Sequence, residues 1–474
     1  MLTELPKITI RWHTEFNLQH THLVNLLKKF GDLLPNPLSA RVDLQSYATK
    51  LLTYADIACA FIDEEIIAFL AIYANDEKRY KAHLPIIVII KEYQGFGIGK
   101  IMMSRALARA RQRGMKLIDL EVEPENISAH HLYQYCGFRF EGTRGCKWTM
   151  CCDLSLALGQ EHPTPLIENS RLLAKFGLDI DLRIKHDDLY PMAGGGIKAR
   201  KICYIMRDLI ANGHDVIVTN GAPQSNHARA AAVLSAKLGI KCHIVVVLDP
   251  RKVYRDTGNI LLMRLSGATI EFCSKENLAK CMDQAVDRFR TMGHNPLYVW
   301  GGGHCLAGTI AFIEAAGEAQ SQCGEWQPDY LVFASGTGTT QAGLSIGYAG
   351  QPTHVIGISV ARDTERGTQV IHECIDEYLN YTSTHGKINI EVDFRDEWTD
   401  GGYEKTSPAL LDVVNKAAQA GCFVDPTYSG KALRGLKELV EYGEIPQSSK
   451  ILFWHTGGLM NLLASDFSGH DISL

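Results

Sequence analysis

A strand-to-helix turn in residues 330–343, YLVFASGTGTTQAG, decides the fold of the C-terminal part of the chain. Around it, short apolar runs alternate with helical stretches. Strands are predicted at residues 215–219, 242–248, 330–333 and 355–360, and helices at residues 225–238, near 259–265 and from residue 340 onward. This alternation predicts a parallel sheet with helices on both faces. Because about 310 residues are generous for one sheet, we expect two α/β sub-domains that face a cleft.

The loop within that turn has the composition of a phosphate site. Its Gly, Ser and Thr residues supply N–H and O–H donors without bulk at the start of a helix, as a bound phosphate monoester requires. No G-K-[ST] sequence follows, so the loop is not a nucleotide-binding loop of the Walker type.

Three more segments point to one cofactor. In residues 193–201, AGGGIKARK, a lysine follows three glycines, and such a lysine can form an imine with an aldehyde cofactor, although a solvated lysine after a turn is the commoner arrangement. Residues 220–229, NGAPQSNHAR, follow a strand and lead into a helix, where open α/β sheets bind ligands such as a carboxylate. Residues 425–431, DPTYSGK, and 455–458, HTGG, add hydroxyl groups. Together the segments describe a site for pyridoxal 5′-phosphate (PLP).

From about residue 164 to residue 463 the order and wording of these segments closely resemble the fold-type-II PLP enzymes that include D-cysteine desulfhydrase and 1-aminocyclopropane-1-carboxylate (ACC) deaminase. The resemblance implies that Lys198 forms the imine with the cofactor and moves the α-proton. Further catalytic residues would be Ser225, Tyr403 and Tyr428. The phosphate would be held by Gly336, Thr337, Gly338, Thr339 and Thr340. Asn226 would bind the ring hydroxyl, Thr456 and Ser429 would lie near the ring nitrogen, and the substrate carboxylate would be held by Ser225, Asn226 and His227.

Three departures from that family bear on the reaction. Ile197 stands where the family has Asn before the lysine, and His304-Cys305 replaces Ser-Asn, a change that either reshapes the substrate side or is merely packed. Ser429 stands where cyclopropane-opening members have Glu, and a hydroxyl leaves the ring nitrogen closer to neutral. We therefore favour β-elimination or β-replacement on a small amino acid, of D or L configuration, and keep ACC-type ring opening as the alternative.

The N-terminal part contains a different glycine loop. Residues 94–100, QGFGIGK, lie between a β-branched strand at 84–90 and a helix at 99–113, which suits a pyrophosphate, although the pattern alone also describes many tight turns. Residues 126–133, NISAHHLY, follow, and then Cys-Gly-Phe at 136–138. This order resembles the GNAT acetyltransferase family over most of residues 5–152.

The GNAT resemblance implies acetyl-CoA as co-substrate and assigns roles to several residues. The pyrophosphate would be held by Gln94, Gly95, Gly97, Ile98, Gly99 and Lys100. The backbone at Ile89 would hold the pantetheine arm, Asn126 would contact the cofactor, and Tyr133 would protonate the leaving thiolate. Glu123, or Glu121 on the same strand face, would deprotonate the acceptor unless both have surface roles. His130 and His131 are predicted to be helix-surface residues.

The whole chain is therefore predicted to be a bifunctional enzyme, with a GNAT domain at residues 1–154, a linker at 155–163 and a PLP domain at 164–474. An amino-acid substrate could be acetylated before or after the PLP reaction; alternatively, the GNAT domain only senses acetyl-CoA. The net charge of −5 gives no reason to expect nucleic acid or a membrane, and the thirteen dispersed cysteines show no metal-ligand pattern and suit a reducing, cytoplasmic setting. The family resemblance also implies a homodimer.

Overall fold

The computed structural model describes residues 8–31, 33, 37–94, 97–154, 163–248, 256–382 and 390–465. The chain divides into two compact units, residues 1–161 with 210–213 and residues 162–209 with 214–474, and each is described by itself. The predicted linker lies, except for Pro163, outside the described residues. Within the described residues, no helix is both long enough and apolar enough to cross a membrane.

The N-terminal unit is built around one mixed sheet. Its elements are β1 (Thr9–Trp12), α1 (His20–Gly31), α2 (Leu44–Tyr54), β2 (Asp56–Ile62), β3 (Glu65–Asp76), β4 (Lys81–Ile89), α3 (Ile98–Gln112), β5 (Leu117–Val122), α4 (Ile127–Tyr135), β6 (Arg139–Arg144) and β7 (Lys147–Asp153). The strand order is β1-β2-β3-β4-β5-β7-β6, and the pair β4–β5 is parallel whereas the other pairs are antiparallel.

Local sequence explains how this sheet turns and what covers it. Asp63 and Glu64 join β2 to β3 with φ angles of 46° and 65°, as a two-residue hairpin turn with positive φ at both central positions requires. Apolar residues of α1 and α2 pack with one set of strand side chains, and those of α3 pack with another. The sheet is therefore buried between two helical layers.

The two parallel strands of this sheet, β4 and β5, separate towards their carboxyl ends. β4 and β5 pair at four positions, from Lys81 with Leu117 to Leu84 with Leu120, and no pairing follows. The residues of β4 beyond Leu84 still pair with β3, after a bulge between His83 and Ile86. One edge of β4 is thus open towards Ile89, and we call this opening the β4–β5 fork.

The C-terminal unit contains two sheets. Its elements are β8 (Leu166–Glu168), α5 (Ser170–Phe176), β9 (Asp181–His186), α6 (Ile197–Ala211), β10 (Val216–Gly221), α7 (Asn226–Leu238), β11 (Lys241–Val247), α8 (Gly258–Leu265), β12 (Thr269–Cys273), α9 (Leu278–Thr291), β13 (Pro296–Val299), α10 (Leu306–Cys323), β14 (Tyr330–Ser335), α11 (Thr339–Gly347), β15 (His354–Ser359), α12 (Thr364–Thr382), β16 (Asp393–Arg395), α13 (Pro408–Gln419), α14 (Ser429–Glu441), β17 (Lys450–His455) and α15 (Leu459–Ala464).

The strand orders confirm the predicted α/β class with two sub-domains. The smaller sheet, β12-β11-β10-β13, is entirely parallel. The larger sheet, β16-β15-β14-β17-β9-β8, is parallel except at its edge strand β8. Parallel strands direct their carboxyl ends to one edge, where ligands bind.

A buried charge network fixes the start of α6 against the larger sheet. Arg200 on α6 bonds Asp187 at 2.6 Å and Glu318 of α10 at 2.9 Å. The Lys185 ammonium, fully buried on β9, is also bonded to Glu318. Buried charges are tolerated when paired in this way, and removal of one partner is costly.

Candidate functional site

A cavity of about 750 Å³ lies at the carboxyl ends of the strands in the C-terminal unit. It brings together predicted residues that are far apart in sequence. Those that line it are Lys198, Ser225, Asn226, His227, Gly336, Thr337, Thr340, Tyr403, Tyr428 and Thr456. Gly338, Thr339 and Ser429 are not among the lining residues.

Lys198 projects from the first turn of α6 because the chain before it turns sharply. Gly194, Gly195 and Gly196 have φ angles of 78°, 76° and 88°, and a Cβ on Gly195 would meet the Asp188 carbonyl oxygen at 2.1 Å. Arg229 fixes this turn through hydrogen bonds to the carbonyls of Gly194 (2.6 Å) and Gly195 (3.0 Å). Only glycine satisfies such a turn.

The amine of Lys198 has the chemistry of a nucleophile. Nζ donates to the Gly302 carbonyl at 3.2 Å. Burial, with a smaller contribution from the Arg362 charge, lowers the pKa of Lys198 to about 8. A lysine with a depressed pKa carries a neutral amine at neutral pH often enough to attack an aldehyde.

Lys201 is a site residue that sequence reasoning missed. It lies one helical turn beyond Lys198, is fully buried, and donates to Thr339 Oγ1 at 2.6 Å. Burial and the nearby Lys198 charge lower its pKa well below the ordinary value. The K-x-x-K spacing, which places both lysines on one helix face, was the available signal.

The loop at the start of α11 is shaped for a small anion. Gly338 has a φ of 95°, and a Cβ on Gly302 would meet Thr337 at 2.5 Å, so the two loops approach closely. Thr337 Oγ1 is buried without a partner among the described residues. Arg362 donates to the Gly336 carbonyl and adds positive charge. These groups, with Lys201 behind Thr339, fit a phosphate monoester.

The loop at the start of α7 has donors suited to a carboxylate. Ser225 caps α7 by accepting from Ala228 N–H at 3.2 Å, which leaves its hydroxyl proton available. The Thr219 hydroxyl donates to the Val299 carbonyl at 2.7 Å and accepts from His227 Nε2 at 2.7 Å. This assigns the His227 proton to Nε2.

His227 is therefore neutral and does not bind a carboxylate by charge. Burial, reinforced by the charges of Lys198 and Lys201, lowers the pKa of His227 to about 3. Its Nδ1 is buried without a partner among the described residues. Asn226 Oδ1 accepts from Asn259 at 3.0 Å, so its amide N–H groups remain the donors towards a ligand. The N-terminus of α7 supplies the rest of the anion site.

Two tyrosines and one threonine also line the cavity. The hydroxyls of Tyr403 and Tyr428 are hydrogen-bonded to each other, and burial raises the pKa of both far above the ordinary value. Thr456 lines the cavity, and its Oγ1 is buried with no partner among the described residues. An unpartnered buried hydroxyl fits a ring nitrogen at this end of the cavity.

Ser429, predicted to lie near the ring nitrogen, is not among the residues that line the cavity. It is fully buried, and its hydroxyl lies 2.8 Å from Asp425 Oδ1 and 3.0 Å from the Gly457 carbonyl. Asp425 is the acceptor for three successive backbone N–H groups of the turn, those of Thr427, Tyr428 and Ser429. The serine thus orders the turn that presents Tyr428.

The other two departures from the family pattern, at Ile197 and at His304, lie in different places. Ile197 lines the cavity, and its backbone N–H donates to the Thr456 carbonyl at 3.1 Å, so an apolar side chain adjoins the lysine. His304 does not reach the substrate side. Its Nδ1 donates to the Thr337 carbonyl at 2.9 Å, which places it behind the phosphate loop.

In the N-terminal unit three predicted segments converge at the β4–β5 fork. A Cβ on Gly99, in the first turn of α3, would meet Leu132 of α4 at 3.0 Å and Ile89 at 3.3 Å. Gln94 donates to the Ile89 carbonyl at 2.9 Å. Gly97 has a φ of 78° and begins α3 with Ile98 and Lys100. Gly95 lies outside the described residues.

The remaining predicted residues lie on or near α4. Tyr133 is buried against Phe138, and burial raises its pKa well above the ordinary value, so its hydroxyl stays protonated. Asn126 caps α4 by accepting from Ala129 N–H at 3.1 Å. The Glu123 carboxylate lies 3.5 Å from Lys147 Nζ.

The prediction for His130 was wrong. Its side chain is 7% exposed, and Nε2 donates to the Glu123 carbonyl at 3.0 Å. The ring also packs edge-on against Trp148 at 4.6 Å. The N-terminal turn of α4 rotates this position into the sheet, whereas His131 remains exposed.

Models of two protein families match the chain. The model of the family described as "pyridoxal-phosphate dependent enzyme" matches residues 157–457, and that of the acetyltransferase (GNAT) family matches residues 32–138. The chain is 32% identical to D-cysteine desulfhydrase of Klebsiella pneumoniae (strain 342) over 311 residues, 64% of this chain and 93% of that protein. It is 33% identical to 1-aminocyclopropane-1-carboxylate deaminase of Burkholderia cenocepacia (strain HI2424) over 320 residues, 64% and 94% of the respective chains. The crystal structure of an ACC deaminase homologue superposes with a TM-score of 0.58 at 29% identity and covers 64% of this chain and 94% of that one.

Proposed function

Because the chain belongs to the family of pyridoxal-phosphate-dependent enzymes and carries a GNAT domain before the PLP domain, we propose that it is a bifunctional enzyme of amino-acid metabolism. Its PLP domain catalyses β-elimination or β-replacement on a small amino acid. Its GNAT domain transfers an acetyl group from acetyl-CoA to an amino-acid-like acceptor.

One observation carries the proposal for the PLP domain. The Lys198 amine, with a pKa of about 8, shares one cavity with the donors of the α7 loop and the phosphate-shaped loop before α11. Asn220, Thr337 and Thr456 line this cavity, and Asn220 Nδ2, Thr337 Oγ1 and Thr456 Oγ1 are buried without partners among the described residues. Such orphan groups are expected where a polar ligand completes the hydrogen bonds.

Each group of residues around the cavity has a proposed role. PLP, when bound, supplies an electron-withdrawing ring that makes the α-proton of an amino acid acidic. Thr337 and Thr340 would hold its phosphate, Lys201 would position Thr339 behind them, and Lys198 would hold the ring end and move the α-proton. Ser225 and the N–H groups of α7 would orient the substrate carboxylate. The protonated pair of Tyr403 and Tyr428 is suited to give a proton to a leaving group.

The acid content of the cavity favours elimination over ring opening. Asp188 is the one acidic residue among those found to line the cavity, and its carboxylate is bonded to His186 at 2.9 Å. Position 429 offers no carboxylate to a ring nitrogen because it is a serine, and the Ser429 hydroxyl is hydrogen-bonded to Asp425. A ring nitrogen beside Thr456 would stay closer to neutral, which suits loss of a β-substituent better than opening of a cyclopropane.

For the GNAT domain, the proposal rests on the fork and on Tyr133. The turn at Gly97 and the first N–H groups of α3 suit a pyrophosphate, and the open edge of β4 suits an amide-containing arm. Tyr133 is the proposed acid for the thiolate, and Glu123 is a candidate base. The product or the substrate of the PLP domain is the proposed acetyl acceptor.

The test is the visible spectrum of the purified protein during titration with D- and L-amino acids, with and without acetyl-CoA. We expect a PLP band that one small amino acid converts, with release of a keto acid and ammonia in β-elimination or exchange of the β-substituent in β-replacement. Lys198→Ala should lose the band and the keto acid. Conversion of ACC to 2-oxobutyrate at a comparable rate would instead establish the ring-opening alternative.

Single-residue variants distinguish the activity of the GNAT domain from that of the PLP domain. Tyr133→Phe should bind acetyl-CoA as the parent protein does and lose acetyl transfer by 10²- to 10⁴-fold. If Tyr133→Phe and the parent protein both bind acetyl-CoA and neither transfers acetyl, while acetyl-CoA alters keto-acid release, the GNAT domain is a sensor. If keto acid appears only with acetyl-CoA present, the acetylated amino acid is the substrate of the PLP domain.

A further inference from the structure

A histidine and an aspartate form a pair at the base of the β4–β5 fork. His83 on β4 and Asp119 on β5 are direct partners in the parallel ladder, and His83 Nδ1 lies 2.7 Å from Asp119 Oδ1. Lys81 bonds the other carboxylate oxygen of Asp119 at 2.9 Å. The next pair, Leu84 with Leu120, is the last before the strands part.

This arrangement fixes the histidine in one tautomer. Although burial raises the pKa of Asp119, its bonds with His83 and Lys81 outweigh that effect and hold the pKa below the ordinary value. An ionised Asp119 accepts from Nδ1–H, so Nε2 carries the free electron pair of the neutral ring. The His83 side chain is 38% exposed, and no residue of the described chain bonds Nε2.

The position suits the reacting end of an acyl-CoA. From Ile89, which contacts the α3 turn, to His83 the strand covers roughly 20 Å at its usual rise. That length is of the order of an extended pantetheine arm. A ligand anchored at the α3 turn and laid along the open edge of β4 would therefore present its thioester near the base of the fork.

The carboxylates on the same sheet face are engaged with cations. Glu121 bonds Arg144 at 2.9 Å, and Glu123 lies 3.5 Å from Lys147. The groups around the His83–Asp119 pair are Lys81, Glu141, Cys151 opposite Asp119, and Tyr73 opposite His83 on β3. His83 combines a ring nitrogen that no described residue bonds with a side chain that is partly exposed.

We propose that His83, oriented by Asp119, is the general base of acetyl transfer, in place of Glu123. This inference rests on the acetyl transfer proposed above. Nε2 takes one proton from the acceptor ammonium group, and the resulting amine attacks the thioester carbonyl carbon. The N–C bond forms, the C–S bond breaks, and the thiolate takes the Tyr133 hydroxyl proton. The second proton shed by the bonded nitrogen restores Tyr133, and His83 returns its proton to water.

The test compares His83→Gln with His20→Gln in the full chain. Gln keeps an N–H donor for Asp119 but has no basic nitrogen. His20 lies on α1 and bonds Gln45 and Thr49, away from the fork, so His20→Gln is the matched control. Acetyl-CoA affinity is measured by calorimetry, and CoA release is measured over a panel of D- and L-amino acids.

We expect His83→Gln to bind acetyl-CoA within twofold of the parent protein and to lose at least 100-fold in kcat, with the KM for acetyl-CoA unchanged. His20→Gln should match the parent protein. Added imidazole should restore His83→Ala at least tenfold and leave Tyr133→Phe unchanged. Asp119→Asn, which can still accept from Nδ1, gives a second measurement and should lose at least tenfold in kcat.

The outcomes separate the two proposals. If His83→Gln or imidazole-free His83→Ala acetylates as fast as the parent protein, His83 is not the base, and acetyl transfer itself stands. If the parent protein binds acetyl-CoA and acetylates no member of the panel, acetyl transfer fails, and the role of His83 fails with it. Loss of acetyl-CoA binding in His83→Gln would show a structural role and would also overturn the inference.

Discussion

The depressed pKa of Lys198 predicts how fast the protein reloads its cofactor at different pH values. Attack on an aldehyde requires a neutral amine. With a pKa of about 8 rather than 10.5, the neutral fraction at pH 7 rises from about 0.03% to about 10%, roughly 300-fold. The burial that lowers the pKa therefore prepares the lysine for attachment near neutral pH.

The assay is stopped-flow absorbance after PLP is mixed with protein stripped of cofactor, between pH 6 and pH 10. The rate of PLP with Nα-acetyl-lysine is measured in parallel, as a reference that shares the ionisation of PLP itself. We expect the rate with protein to rise up to about pH 8 and then level off, whereas the rate with the model amine continues to rise. Arg362→Gln removes a charge that lowers the pKa of Lys198 and should move the plateau to higher pH.

A parallel rise of protein and model amine to pH 10 would refute the reasoning, because it would mean that Lys198 titrates as an ordinary lysine. A plateau that Arg362→Gln leaves unmoved would show that burial alone lowers the pKa.

Three further predictions concern the scaffold of the sites. Gly302→Ala and Gly350→Ala both place a side chain at positive φ, which should lower the free energy of unfolding in urea by about 1–2 kcal/mol. Only the Gly302→Ala side chain would clash with Thr337, so only this variant should raise the Kd for PLP. Equal Kd values for the two variants would contradict this. Glu318→Gln should destabilise the C-terminal unit by about 3–5 kcal/mol because Lys185 and Arg200 lose their shared partner, while Asp412→Asn, in an exposed pair, should stay within about 0.5 kcal/mol. Asn126→Ala should cost about 1 kcal/mol through the lost helix cap and Asn126→Asp should not; weaker acetyl-CoA binding by the stable Asp variant would reveal a cofactor contact.

Sequence patterns located most elements of the fold because they depend on neighbours along the chain. The predicted helix at 99–113 and the predicted strands at 242–248 and 355–360 are each one residue out of step with α3, β11 and β15, and the other predicted elements begin or end within a few residues of their observed bounds. Periodic burial, turn residues and β-branched runs are local signals.

The parts that could not be predicted depend on contacts across the fold. Arg229 fixes the turn before Lys198 only because α7 packs beside it, and His83 meets Asp119 only in the register of β4 with β5. The sequence left open whether His304 reshapes the substrate side or is merely packed, and only the fold shows that its ring contacts Thr337. Motifs therefore identified the cofactor loops, whereas the residues that orient them required three-dimensional neighbours.

The strand order of the larger sheet determines when its strands can pair during synthesis on the ribosome. β9 emerges early in the C-terminal unit, but one of its two neighbours is β17, the last strand of the sheet in chain order. β9 must wait for nearly the whole unit before it is paired on both sides, and Thr456 arrives with that last strand. The N-terminal unit, whose sheet closes within residues 9–153, can be complete long before then. In a nascent chain the proposed acetyl-CoA site would thus be complete before the PLP site, and a stalled chain short of β17 would expose an unpaired strand edge to aggregation.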